Sequence, residues 1–241
     1  MSEVGRLDAD TLDALVQAAD LQALTVAQIF DLFREEKALH PYLPDATYEV
    51  DPRDGALVTF SSARARRPHD YVVPEEPTGE QDCPICQGQT TGVIDVAPLS
   101  EGHTFINKNL FPILRVLEKI EPEALEQARH DGAPMMKRAT YGLHFLQWTS
   151  SLHDCDWHNM TQADRVVVLE RLAALECKLL FDDHQLMPPA EPWDPQTKAR
   201  GYVSIIKNYG APVGGSLAHG HQQIAYSNIM PRRIHNNWTF F

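Results

Sequence analysis

The sequence predicts an α+β domain preceded by a helical extension, and three stretches carry that prediction. In His219-Gly220-His221-Gln222-Gln223 the residues His219, His221 and Gln223 alternate. A period of two is strand geometry, so these three side chains face one way while Gly220, Gln222 and Ile224 face the other. Thr47–Val50 and Leu57–Phe60 flank Arg53-Asp54-Gly55-Ala56 and read as a hairpin. Thr161–Asp183 reads as the clearest helix, with Thr161 as its cap, Asp164 in the first turn and an apolar stripe of Val168, Leu172, Leu175 and Leu179.

A chain of 241 residues fits one large domain or a domain plus an extension. It has no apolar run of membrane-spanning length, and its start, MSEVGRLDAD, lacks the basic and apolar regions of a signal peptide, so no membrane association and a cytoplasmic location are expected. The net charge of −12 argues against nucleic-acid binding, which normally uses a broad basic surface. A phosphate ligand stays possible, since it needs only a few local cations. Four cysteines are too few to staple a chain of this length, so they are thiols or metal ligands.

In order, residues 1–45 read as helical. Leu12, Leu15, Val16 and Ala19 recur at helical spacing, as do Ile29, Phe30, Phe33 and Leu39. Thr25 and Gln28 form a capping-box pattern, and Pro41 and Pro44 close the second helix. This segment is expected to be an extension or partner-binding arm, with the main domain over 46–241. Arg64, Arg66 and Arg67 cluster before Pro68, on a solvated surface or against an anion. Thr104–Lys108 and Phe111–Val116 read as a strand and its continuation, Glu118–Arg129 as a short helix, and Thr140–Trp148 as another strand. Ser150–His158 is a loop, and Cys177 on the long helix is expected to be a buried, inert thiol. Tyr202–Lys207 is a strand that leads through Gly210, Gly214, Gly215 and Ser216 into the His-x-His segment. Such a glycine-rich loop lets backbone N–H groups approach an anion.

Cys83-Pro84-Ile85-Cys86 is a tight knuckle of the kind that supplies half of a tetrahedral zinc site. Plain thiols and a redox pair are the competing readings. A redox Cys-x-x-Cys usually opens a helix in a βαβ unit, a context missing here. Two more ligands are required, and the Ser150–His158 loop offers His153, Cys155 and His158.

These motifs occur in one order along the chain: Arg64-Ala65-Arg66-Arg67-Pro68, Cys83-x-x-Cys86, Phe105-x-Asn107, a His before a long helix, then Asn208-x-Gly210 and Ser216-x-x-His219-x-His221-x-Gln223. Together they resemble the histidine-triad (HIT) superfamily, in its His-x-His-x-Gln branch typified by galactose-1-phosphate uridylyltransferase. The resemblance covers about Thr47 to Pro231, matching the first half of that family's chain. It implies a HIT-like antiparallel sheet with packed helices, and a homodimer. The residue after Asn107 departs from the family pattern: Lys108 stands where Asp is common, and Asn109-Leu110 look inserted, which leaves the base and sugar open.

The resemblance also assigns roles. His221 would attack the α-phosphorus of a nucleoside diphosphate sugar and carry the nucleotidyl group. The His219 carbonyl or a nearby one would take the Nδ1 proton of His221, leaving Nε2 to attack. Gln223 would donate to an α-phosphate oxygen, with Asn208 and Ser216 as further donors. Arg64 and Arg67 would hold the phosphates through charge-assisted bonds, and Asn107 would contact the nucleoside. Cys83, Cys86, His153 and His219 would bind a structural Zn2+, with Cys155 as the chemical rival to His153. The implied partners are a nucleotide sugar or dinucleotide and a phosphate acceptor. The expected activity is nucleotidyl transfer to a sugar phosphate. The alternatives are a phosphorylase-type adenylyltransferase acting on diadenosine polyphosphates or a nucleotide sugar, and a non-catalytic, zinc-stabilised nucleotide-binding module.

Overall fold

A computed structural model of the chain describes residues 16, 21–42, 46–53, 56–62, 79, 83–116, 138–181, 202–209 and 217–227. The strands are β1 (Thr47–Val50), β2 (Leu57–Phe60), β3 (Val93–Pro98), β4 (His103–Lys108), β5 (Arg138–Ala139), β6 (Gly142–Trp148), β7 (Tyr202–Ile206) and β8 (His221–Ser227). The helices are α1 (Val26–Glu35) and α2 (Gln162–Phe181). A five-stranded antiparallel sheet runs β3-β4-β6-β8-β7, and a small sheet runs β2-β1-β5. The α+β class and the antiparallel sheet are as expected, and so is the β1–β2 hairpin, with Thr47 opposite Phe60 and Val50 opposite Leu57. No helix among the described residues is long and apolar enough to cross a membrane.

Period-two alternation gives the large sheet two different faces. Ile106, Phe145, Leu143, Ile224 and Tyr226 point toward the helices and form one core with Leu172, Leu175 and Leu179 of α2. Leu21, Val26, Ile29, Phe30, Phe33 and Leu39 complete that core, with Phe33 edge-on to Phe145 at 4.9 Å. The described part of the N-terminal segment is therefore packed onto the sheet. Phe105 and Trp148 point to the opposite face, where Cys83, Ile85, Cys86 and Val93 join them in a second cluster.

The helix signals hold at their starts. Thr25 Oγ1 accepts from the Gln28 amide, and the Gln28 side chain accepts from the Thr25 amide, a reciprocal cap worth about 1 kcal/mol. Thr161 Oγ1 accepts from the Asp164 amide at the head of α2.

Four readings are corrected. Helix α1 stops at Glu35, before the prolines, because Glu36 turns extended and its carboxylate takes the Gly92 amide and Lys108; a 3-10 turn over Lys37–Tyr42 then includes Pro41. Val16 forms a parallel bridge with Val93 instead of a helical turn. Phe111–Val116 is not a strand. The chain wraps around His144, which takes the Ile113 amide on Nδ1, while the Asn109 amide donates to the His144 carbonyl, and only Arg115 bridges to Tyr141. Cys177 is exposed, since it lies two residues from Leu175 and so on the far side of the helix. Strand β3 has no counterpart in the sequence reading. Its Asp95 is buried and receives Nε and Nη2 of Arg171 at 2.7 and 2.6 Å, which fastens α2 to the sheet edge.

Candidate metal and nucleotidyl-transfer site

Residues 83–90 form the knuckle. Gln87 and Gly88 amides return to the carbonyls of Cys83 and Ile85, and Gly88 has φ 73°, a left-handed backbone that glycine adopts without strain. Both thiols end up buried, beside Val93, Phe105 and Trp148. His153 comes from the loop after β6, which is tied to β4 by the Ser151 amide on the His103 carbonyl. His219 comes from the bend before β8 and is fully buried.

The ligand atoms of Cys83, Cys86, His153 and His219 lie within 4.8 Å of one another. Nδ1 of His219 is 3.6 Å from Cys83 Sγ and 3.4 Å from Cys86 Sγ, and Nδ1 of His153 is 3.4 Å from Cys86 Sγ. Zinc–sulfur and zinc–nitrogen bonds set at a tetrahedral angle would hold S and N roughly 3.5 Å apart. The side chains are therefore spaced as the ligands of one metal ion would be, and the Cys₂His₂ donor set suits zinc. Nε2 of His219 lies 2.8 Å from the Ser150 carbonyl, which fixes the proton there and turns the Nδ1 lone pair inward. Burial lowers the His219 pKa to about 4, so the ring is neutral at pH 7, the form a metal requires. Cys155 is half-buried, lies outside the cluster, and has its thiol pKa pushed up by burial. His158 is exposed and faces Tyr209 at 5.8 Å.

The strand proper begins at His221, opposite Trp148 of β6. One further bond, from the Thr149 amide to the Gly220 carbonyl, carries the ladder on before the chain bends. The expected alternation thus stops short of His219, yet both imidazoles flank one indole. The Trp148 ring is 5.0 Å from that of His221 and 5.3 Å from that of His219. Nδ1 of His221 lies 2.9 Å from the His219 carbonyl. A proton donated there leaves Nε2 in its lone-pair form. His221 is 8% exposed and Gln223, on the same face, is half-buried between Leu146 and Ile206.

Asn107 lies on this face too, but its amide is engaged inside the protein. Nδ2 donates to the Thr90 and Thr91 hydroxyls, and Oδ1 accepts from Trp148 Nε1 at 3.0 Å. Lys108 points the other way. It is fully buried and pairs with Glu36 at 3.0 Å, and burial lowers its pKa. The departure at Lys108 therefore serves the junction with the N-terminal segment. Asn208 is half-buried just after β7. Arg64, Arg67 and Ser216 lie outside the described residues, as do Gly210, Gly214, Gly215 and the proposed helix at Glu118–Arg129.

Several residues around the site carry no sequence motif. Trp148 orients both histidines, and Asp156 pairs with Lys207 behind them. Trp157 donates to Gln222, which donates to Gln147, whose own amide reaches the Val168 carbonyl of α2. These pairs are 21 to 75 residues apart in sequence, and no local spacing signals them.

The fold is similar to that of the uridylyltransferases. A solved uridylyltransferase superimposes with a TM-score of 0.50 over 80% of this chain and 49% of its own, at 18% identity. An ADP-glucose phosphorylase from Arabidopsis thaliana, solved with bound ADP-glucose, aligns over 80% of this chain and 51% of its own at 19% identity, with a TM-score of 0.41. By sequence, an ADP-glucose phosphorylase of Arabidopsis thaliana is 25% identical over 201 residues, covering 76% of this chain. No family model matches. The chain spans about half the length of the relatives it matches. The resemblance read from the motifs is borne out in the fold.

Proposed function

We propose that this chain is a nucleotidyltransferase domain. It would move a nucleoside monophosphate from a nucleoside diphosphate sugar to a sugar phosphate through a nucleotidyl-histidine. One observation carries the reading: Nδ1 of His221 meets the His219 carbonyl at 2.9 Å while His219 itself turns Nδ1 into the cysteine cluster. Of two neighbouring imidazoles, one has its lone pair committed to a metal, and the other presents Nε2 as a nucleophile.

In the first step the Nε2 lone pair of His221 attacks the α-phosphorus. An N–P bond forms, the P–O bond to the sugar phosphate breaks, and its electron pair leaves on that phosphate oxygen. A phosphate leaves readily as an anion, so no general acid is needed. A phosphate oxygen of the acceptor then attacks the same phosphorus and the N–P bond breaks. Gln223 donates to an α-phosphate oxygen throughout, with Asn208 and Ser216 as further donors. Arg64 and Arg67 hold the phosphates, and Asn107 steadies Trp148 against the nucleophile. Cys83, Cys86, His153 and His219 would hold a zinc ion, which would supply structural rigidity and no chemistry of its own. We further infer a homodimer in a reducing, cytoplasmic environment, which suits thiolate ligands.

A second reading replaces the acceptor with inorganic phosphate. The relative named ADP-glucose phosphorylase favours it. Intact-protein mass after incubation with a panel of nucleotide sugars and dinucleotides tests both readings. The expected result is an added nucleoside monophosphate on His221, released by either a hexose phosphate or inorganic phosphate. No adduct from any donor would leave only a nucleotide-binding module.

A further inference from the structure

We propose that the Asp156–Lys207 ion pair is a positioning device for the nucleophile, joining the metal loop to the His221 backbone; this rests on the function proposed above. Lys207 Nζ donates to Asp156 Oδ1 at 2.7 Å and reaches Thr149 Oγ1 and the His221 carbonyl, each at 3.4 Å. The Asp156 side chain is 5% exposed and that of Lys207 25%. Asp156 lies three residues after His153, on the loop that brings this ligand to the metal, and its Oδ1 also accepts from the Trp157 amide. Lys207 directly precedes Asn208, a phosphate donor in the proposed mechanism. One ion pair therefore joins the metal loop, the backbone of the nucleophile and the start of the phosphate loop.

The contact with Gly220 makes this coupling tight. A Cβ on residue 220 would fall 2.5 Å from Asp156 Cγ and 2.8 Å from Oδ2, so the carboxylate packs directly on the glycine backbone. The carbonyl that receives the His221 Nδ1 proton belongs to His219, across the peptide that enters Gly220. The rotation of that peptide sets where Nε2 points. Asp156 against Gly220 on one side and Lys207 on the His221 carbonyl on the other leave it little freedom. Stability alone is a weak reason for such a pair, because buried ion pairs are often no more stabilising than apolar packing. Alignment of a reacting atom is a stronger one, since small misplacements cost rate heavily.

The test uses full-length protein carrying Lys207→Met, Asp156→Asn, both together, or Lys207→Arg. Each is assayed for zinc content, donor KM and the single-turnover rate of nucleotidyl-His221 formation, with UDP-glucose and ADP-glucose as probes. The expected result is full zinc, a nearly unchanged KM and a rate lowered about 10- to 100-fold in Lys207→Met and Asp156→Asn. The double variant should be no slower than the worse single one, and Lys207→Arg should recover most of the rate. Should Lys207→Met not fold, Asp156→Asn, which keeps its shape, and Lys207→Arg carry the same comparison. Rates equal to the parent would overturn the inference, as would a loss that merely follows zinc content or a raised KM. Absence of an adduct in the parent would instead overturn the proposed function.

Discussion

At the scale of single residues, the site depends on what residue 220 lacks. A methyl group at Gly220 would need Asp156 to move, and Asp156 is held by Lys207 and by the Trp157 amide. Gly220→Ala is therefore expected to lose about 1–3 kcal/mol of stability, as overpacked sites do, and to slow adduct formation with it. A denaturant midpoint and a single-turnover assay on one preparation check both. The two histidines should separate just as sharply. His221→Gly should leave a folded, zinc-loaded protein that forms no adduct, whereas His219→Asn should lose the metal and loosen the fold. An adduct on any other residue, found by peptide mapping, would refute the assignment. The identities of His219, His221, Cys83 and Cys86 were legible because each sits in a short pattern whose chemistry is local. Asp156, Lys207 and Trp148 were not, because each matters only through partners brought close by folding.

At the scale of elements, the legible parts were those with a strong period or a cap: the β1–β2 hairpin, α2 with its Thr161 cap and four-residue stripe, and the Thr25 capping box. Strand β3 escaped because its Val-Ile-Asp-Val-Ala-Pro sequence places a charge inside a short apolar run, and that charge is answered by Arg171 from a distant helix. A further long-range ion pair, Lys108 with Glu36, fastens the N-terminal segment to β4 on the face away from His221. Removing one partner of a buried pair strands the other, so Lys108→Met should cost on the order of 3 kcal/mol. Lys108→Met with Glu36→Gln should regain most of that loss. Donor KM should stay constant in both, because Lys108 faces the helices. A changed KM would place this lysine in nucleotide recognition after all.

At the scale of the whole molecule, the sheet divides labour between its faces. Helices α1 and α2 pack on one, and the Cys83, Cys86, His153 and His219 cluster and His221 occupy the other. Stripping the metal should therefore weaken the second face, where the apolar cluster includes both thiols. Metal analysis should find about one zinc per chain, and Cys83→Ser should lose it with a fall in melting temperature. Protein purified without chelator and free of metal would contradict this. The strand order has a further consequence, seen when the chain is followed as it leaves the ribosome. Strand β8 is inserted between β6 and β7, and β7 pairs with β8 alone among the described strands. Until residues 219–227 emerge, β6 keeps an open edge, β7 has nothing to join, and the cluster is one ligand short. The same stretch closes the sheet, adds His219 to the Cys83, Cys86 and His153 cluster and carries His221. A nascent chain that stalls earlier therefore leaves a sheet edge open and the Cys83, Cys86 and His153 cluster without His219.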